Sequence, residues 1–144
     1  MKDLIEISEA RTPSYRVKGD FELNQESINF LKLKAVESGL CVARFVLHAS
    51  DESLLHQMII LKLKNYEEKW IRHPSNMPKS FYFIEGAGEL VYKDSHQIKI
   101  SQKFFHQAIS SAWHKLEIHS EYLLYMESML GPIKNCKSDY LNGQ

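Results

Sequence analysis

Residues 70–88 read WIRHPSNMPKSFYFIEGAG, and the rest of the chain is interpreted around them. A basic loop that carries Arg72 and His73 comes directly before an aromatic stretch at residues 81–84. That stretch ends in a Glu-Gly-Ala-Gly turn, where Gly86 permits a backbone conformation that other residues avoid. The pattern predicts a loop, a strand and a tight turn, with polar side chains held at the mouth of a β-sheet.

Length and charge narrow the class of protein. A chain of 144 residues fits one domain that buries roughly two thirds of the surface its unfolded form exposes. Its 18 basic and 18 acidic residues balance and form no basic block, which disfavours nucleic acid or an anionic membrane as a partner. Cys41 and Cys136 have no Cys-x-x-Cys spacing, and the N-terminus is charged rather than apolar. We therefore expect a reduced, cytoplasmic protein without a membrane span.

One helix is predicted near the N-terminus. Asn24 is a typical N-cap residue, and Gly39 follows the last turn of the pattern. The predicted apolar face consists of Ile28, Leu31, Ala35 and Val36. Short strands or edge additions are expected before it, near residues 15–17 and 21–23. Residues 1–26 are interpreted as an N-terminal extension.

From residue 40 onward the pattern predicts strands. Runs rich in β-branched and aromatic residues lie at 41–48, 55–63, 81–84, 90–92, 97–100 and 121–126. Turn signals about every ten residues separate them and favour an antiparallel sandwich or barrel. The period of two places Arg44 and His48 on one face of the first strand, and His56 and Met58 together on one face of the second. Gly131 and Pro132 end the last strand.

Two histidines are the first candidates for chemistry. His73 and His114 each lie at a junction between a turn and a strand, so two imidazoles could converge on a metal ion or a substrate. Two ordinary surface or hydrogen-bonded histidines fit the sequence as well. His48 and His56 offer further imidazole ligands, although a histidine on a strand face is commonly a satisfied core or rim residue.

Other polar and aromatic residues are candidates for binding. Arg44 pointing into a barrel would need an anion or a carboxylate such as Glu127 or Glu85; a solvated face on which Arg44 snorkels is the alternative. Lys79, beside Tyr82, could contact a phosphate or carboxylate, or simply be solvated. Trp113 could stack on a sugar ring or a base, or belong to the core.

Sequence motifs of several enzyme classes are missing. The chain has no phosphate-binding Gly-x-x-x-x-Gly-Lys loop, no dinucleotide fingerprint that opens a helix, no nucleophile elbow and no His-Glu-x-x-His pair. Residues 86–88 lie between two predicted strands and lack a third glycine. Nothing local therefore identifies a reaction.

Several pieces together resemble a family. A strand ending in Ala-Arg-x-x-Leu-His, a second strand through Gln57 and Met58, an Arg-His-Pro loop, Lys79-Ser80, Trp113-His114 and Glu127 with Gly131-Pro132 resemble the WbuC-type cupins over residues 28–132. Those proteins are small bacterial metalloproteins found with enzymes of surface-polysaccharide (O-antigen) biosynthesis. The resemblance implies a mainly β, cupin-type antiparallel β-barrel (a double-stranded β-helix, or jelly-roll) with a short N-terminal helical segment.

The resemblance also implies a metal site. The first cupin motif has two histidines separated by one residue and then a glutamate. Here His73 is the second histidine, Ile71 replaces the first, and Lys79 lies near the position where the glutamate is expected. The final histidine is retained as His114, while Ile109 and Ser111 replace a Pro-x-Gly before it. A divalent ion (Zn, Fe, Mn or Ni) would be bound by His73 and His114, with His48, His56 or Glu127 replacing the two lost ligands.

These inferences combine into one functional hypothesis. Residues 27–132 form the cupin domain and residues 133–144 a C-terminal tail. The protein binds or acts on a carbohydrate or sugar nucleotide in surface-polysaccharide synthesis, as a homodimer, with sugar isomerisation or epimerisation as its reaction if it is an enzyme. The catalytic residues would be His73 and His114. The substrate-binding residues would be Arg44, His48, Lys79, Tyr82, Trp113 and Glu127. The alternative is a non-catalytic binding or regulatory cupin that has lost its metal.

Overall fold

The computed structural model describes residues 3–74, 77–108, 111–132 and 139–141, with the side chain of residue 139 not included. One helix and twelve strands make up its regular structure. The elements are β1 Leu4–Glu6, β2 Ser14–Val17, α1 Gln25–Glu37, β3 Val42–Val46, β4 Leu55–Leu63, β5 Ile71–Arg72, β6 Lys79–Glu85, β7 Gly88–Tyr92, β8 Gln97–Ile100, β9 Phe104–Gln107, β10 His114–Ile118, β11 Tyr122–Leu130 and β12 Asp139–Tyr140. The predicted mainly β class is confirmed.

The strands form two sheets. The larger has seven strands in the order β1-β2-β3-β4-β11-β6-β9, and the smaller has five in the order β12-β5-β10-β7-β8. All pairs are antiparallel except β2 with β3. No strand of one sheet pairs with the other in the part of the chain that the structure describes. The arrangement is therefore two facing sheets, and a closed barrel stays a prediction.

The helix confirms the sequence prediction in its position and its cap. The Asn24 side chain accepts a hydrogen bond from the Ser27 backbone at 3.1 Å, and the Ser27 hydroxyl accepts one from the Asn24 backbone at 2.9 Å. This reciprocal pair satisfies two donors at the helix start. The prediction for Val36 was wrong: it is 64% exposed, because the helix buries a narrower face.

Two apolar clusters hold the layers together. Between the sheets, Ile60, Phe83 and Tyr125 pack against residues of the smaller sheet such as Leu90 and Leu116. A second cluster packs helix α1 on the outer face of the larger sheet, through Leu31, Ala35, Phe45 and Leu61 among others. The helix thus covers the outer face of the larger sheet, and the smaller sheet covers its inner face. The candidate site lies between the two sheets.

Several strand predictions changed in extent. Strand β4 has the predicted bounds, whereas the strand expected at 41–48 covers only Val42–Val46, since Cys41 has a φ of 58°. Residues 15–17 lie in β2 as expected, but residues 21–23 form no strand because Phe21 and Leu23 pack against the helix cluster instead. Strands β1, β5, β9 and β12 were not predicted.

Some expectations lie beyond what the structure describes. Most of the predicted tail at 133–144 falls outside the described residues, and the domain boundaries at residues 26 and 132 stay predictions. Among the described residues, no helix is both long enough and apolar enough to cross a membrane.

Candidate functional site

Four side chains from both sheets meet at one end of the space between them. His114 begins β10 and lies in register opposite Ile71 of β5, two residues before His73. Lys79 begins β6, and Glu127 lies on the neighbouring strand β11 opposite Phe81. Because alternate residues of a strand share a face, Lys79 and Phe81 point with Glu127 toward the smaller sheet.

The two predicted histidines are brought together. Their ring centroids are 4.9 Å apart, and both residues are buried. The Nδ1 atom of His114 lies 2.9 Å from the carbonyl oxygen of Ala112, which fixes the orientation of its ring. Burial lowers the pKa of His73 to about 3, with the neighbouring Lys79 and His114 adding to the effect. Burial also lowers the pKa of His114. Both imidazoles are therefore neutral at pH 7.

A buried ion pair lies beside the histidines. The Lys79 ammonium nitrogen is 3.1 Å from Oε1 of Glu127, and each residue is only 9% exposed. Burial alone would raise the pKa of the Glu127 carboxyl, but Lys79 and Arg44 together outweigh it, and the pKa is lowered. Glu127 is thus a carboxylate at neutral pH whose charge is compensated by an ammonium group.

Two adjoining cavities, of about 180 and 70 Å³, open between the sheets. The residues that line both are Lys62, Glu68, Ile71, Lys79, Tyr125 and Glu127. The larger cavity also reaches Arg44, whereas the smaller reaches His73 and His114. The Lys79–Glu127 pair therefore borders both an arginine-lined cavity and a histidine-lined one.

These residues do not fit a divalent metal ion. Ile71, which the sequence resemblance aligns with the first metal-binding histidine, lies on the cavity wall and offers only an alkyl group. Lys79, which the resemblance puts near the expected glutamate, is a cation that already pairs with Glu127. A divalent ion normally needs three or more anionic or imidazole donors, and an adjacent ammonium repels it. Two imidazoles and a neutralised carboxylate make a poor donor set.

A different cluster has the spacing of metal ligands. Among the described residues, the one group of three His, Cys, Asp or Glu side chains whose ligand atoms lie within 4.8 Å of one another is Glu89, Glu117 and His119. Glu89 and Glu117 are register partners on β7 and β10, and Glu117 also pairs with Lys115 at 3.1 Å. The cluster includes none of the predicted metal ligands.

The remaining predicted binding residues divide between the cavity and other places. Arg44 lines the larger cavity. Tyr82 alternates with Phe81 and Phe83 along β6 and therefore lies on the opposite face of the sheet. Trp113 is half-buried outside both cavities, with the Arg72 guanidinium 4.9 Å from its ring centroid.

His48 and His56 form a separate buried pair. Their ring centroids are 4.0 Å apart, and neither residue lines the two cavities. Burial lowers the pKa of His48, and His56 lowers it further. His56 is fully buried, and neither of its ring nitrogens has a hydrogen-bond partner within the described chain. An unpartnered buried polar group destabilises a fold.

This pair gives a first prediction, on stability. Replacing His56 by leucine removes two unsatisfied nitrogens, whereas His56→Gln keeps polar atoms in the same dry position. We expect the leucine variant to be more stable than the glutamine variant by about 1 to 3 kcal/mol in urea unfolding. Equal stability of the two, or a more stable glutamine variant, would show that His56 meets a polar partner.

Sequence reasoning missed one wall of the cavity. Tyr66 and Glu68 lie between two predicted strands, in a largely charged segment in which the sequence indicated no site residue. The Glu68 carboxylate lies 2.6 Å from the Lys62 ammonium, and that ammonium is 4.4 Å from the Tyr66 ring centroid. Tyr125 and Tyr140 add two more aromatic groups. The signal was present in Tyr66, an aromatic residue inside an otherwise charged turn.

Known structures resemble this arrangement of sheets. A salicylate 1,2-dioxygenase from Pseudaminobacter salicylatoxidans superposes with a TM-score of 0.68 at 12% identity, over 85% of this chain and 39% of that one. A variant of that enzyme in complex with gentisate gives a TM-score of 0.67, also at 12% identity, over 83% of this chain and 37% of that one. This chain thus spans about two fifths of the length of those dioxygenase chains.

A smaller protein matches over a similar share of both chains. A cupin 2 conserved barrel domain protein from Rhodopseudomonas palustris superposes with a TM-score of 0.53 at 13% identity, over 62% of this chain and 61% of that one. No protein-family model matches the sequence, and no curated protein is significantly similar to it. At these identities the likeness concerns the fold alone.

Proposed function

We propose that this chain, which has the cupin fold, is a small-molecule-binding protein whose central cavity works without a divalent metal ion. The observation that carries the proposal is the Lys79–Glu127 ion pair beside His73 and His114. An ammonium group there supplies positive charge to the cavity without metal ligands. The proposal corresponds to the alternative given by the sequence, a cupin that has lost its metal.

Binding is better supported than proton transfer. A general acid or base works best when its pKa lies near the working pH. The pKa of His73 is about 3 and that of His114 is also lowered, so both are weak bases with no proton to donate at pH 7. The predicted isomerase or epimerase, with these histidines as catalytic residues, is therefore the second candidate.

The proposed small-molecule ligand is supported by a structural neighbour, whereas the proposed biological role rests on the sequence resemblance alone. Gentisate bound to a neighbour of the same fold supports a small organic ligand. The carbohydrate or sugar-nucleotide ligand and the role in O-antigen synthesis rest on the WbuC-type resemblance and stay predictions. Adjacent glycosyltransferase genes would support that role.

The homodimer and the cytoplasmic location also stay predictions. Sedimentation of the full chain tests whether it is a dimer.

Metal analysis tests the proposal directly. Protein purified without chelator is expected to hold Zn, Fe, Mn and Ni far below one equivalent, because Ile71 and Lys79 replace two ligands. The double substitution Ile71→His and Lys79→Glu rebuilds the cupin donor set and is expected to gain near-stoichiometric metal. An unaltered chain that already binds one equivalent, and loses it when His73 or His114 is replaced by alanine, would contradict the proposal.

A further inference from the structure

Arg44 lies on the inner face of the larger sheet, on β3, where its register partner is Ile60. Its guanidinium group lines the larger cavity. The Nε atom is buried and has no hydrogen-bond partner in the described chain. One Nη atom reaches only the Met58 sulfur, at 4.0 Å. Arg44 as a whole is partly buried. Its guanidinium has five N–H donors and few partners in the described chain, and leaving the buried Nε without a partner is costly unless an anion in the cavity reaches the group.

The charges around the cavity are unbalanced. Its lining contains the four cations Arg44, Lys62, Lys69 and Lys79 and the two acids Glu68 and Glu127, which leaves a net charge of +2 when all are ionised. Both acids already form short ion pairs, Glu68 with Lys62 at 2.6 Å and Glu127 with Lys79 at 3.1 Å. The excess positive charge thus lies on Arg44 and Lys69.

Size and wall chemistry limit what the cavity can hold. A volume of about 180 Å³ is below the range of roughly 300 to 1,000 Å³ that holds drug-sized ligands. A sugar nucleotide is therefore too large to be enclosed. The walls include Tyr66, Tyr125 and Tyr140 as well as two isoleucines, so an apolar or aromatic body has surfaces to pack against.

We infer that the occupant of this cavity is a small organic carboxylate, with an apolar or aromatic body, whose carboxylate group binds the Arg44 guanidinium. A planar guanidinium donates two parallel hydrogen bonds to a carboxylate, and that geometry distinguishes it from lysine. Lys79 lies on the same cavity wall and keeps Glu127 from repelling the anion. The inference rests on the proposed function, because it assigns a ligand class to the same cavity.

Calorimetric titration of the full chain with benzoate, gentisate, benzamide and inorganic phosphate tests the inference. Benzamide has the shape of benzoate without its charge, and phosphate has charge without an apolar body. We expect benzoate or gentisate to bind at least about tenfold more tightly than either control, which corresponds to one charge-assisted hydrogen bond or more. Equal binding of benzamide, tighter binding of phosphate, or no binding of either carboxylate overturns the inference.

Substitutions of Arg44 test whether this residue binds the carboxylate. Arg44→Gln is expected to weaken carboxylate binding at least about tenfold, and Arg44→Lys to weaken it less, because charge is kept while the two-pronged geometry is lost. Arg72→Gln removes an exposed arginine outside both cavities and is expected to bind as the unaltered chain does. Carboxylate binding unaffected by Arg44→Gln contradicts the inference, whereas metal-dependent binding contradicts the proposed function instead.

Discussion

Replacing Lys79 by methionine is expected to lower the free energy of unfolding by about 3 to 5 kcal/mol at pH 7. The substitution keeps an unbranched side chain of similar length but leaves the buried Glu127 carboxylate without its ammonium partner. A carboxylate in that position must either remain charged while buried without a partner or take up a proton, and both outcomes destabilise the fold. Urea unfolding monitored by tryptophan fluorescence measures the loss.

A double substitution shows whether the lost stability comes from the broken ion pair or from the lost packing of the Lys79 side chain. The double variant Lys79→Met with Glu127→Leu removes both charges and is expected to recover most of the stability, because apolar replacement of a buried pair is often neutral or better. Lys115→Met provides a control, since its pair with Glu117 is more exposed and is worth less than about 1 kcal/mol. A double variant no more stable than the single one would mean that Lys79 acts through its packing.

The local pattern around residues 70–88 predicted much of this site. It predicted that His73 lies just before an aromatic strand. His114, at another predicted junction between a turn and a strand, lies within ring contact of it in the structure. The pairing of Lys79 with Glu127 could not be predicted, because it depends on which strands neighbour each other. Strand β11 lies between β4 and β6, and its register decides that Glu127 faces Lys79 rather than solvent.

The same reason explains why some predicted residues lie away from the cavity. His48 and His56 were grouped with the site because their strands were predicted, yet a strand's period of two says nothing about which strands neighbour each other. Tyr82 lies outside the cavity because it occupies the opposite face of β6. His56 is the register partner of Met129, and Met129 is in turn the partner of Lys79, so the histidine pair lies two strands away from the ammonium. Glu68 and Tyr66 were missed because residues 65–69 show no periodicity from which the face of a residue could be predicted, and the single aromatic residue there does not show it either.

Lowering the pH is the second change that we expect to have a large effect on the free energy of unfolding. The pKa of His73 is about 3 in the folded chain, against about 6.5 for an unperturbed imidazole, so the unfolded chain binds a proton more readily. The stability linked to His73 is complete above about pH 6.5, falls as the pH decreases, and by about pH 3 has lost on the order of 5 kcal/mol. His48 and His114 are shifted in the same direction and add to the loss. Urea unfolding at pH 7.5 and pH 4.5 is expected to differ by about 3 kcal/mol from His73 alone.

A variant isolates that contribution from the other titrating groups. His73→Leu carries no proton at this position in either state, so the difference in unfolding free energy between pH 7.5 and pH 4.5 should shrink by about 3 kcal/mol. His119→Gln is the matched control, because that histidine is exposed and lies outside both cavities. Glu127, whose pKa is also lowered, loses its stabilising charge only at still lower pH and cannot produce this difference. An unchanged pH dependence in His73→Leu would mean that the imidazole can be protonated in place, and His73 would then return as a candidate for proton transfer.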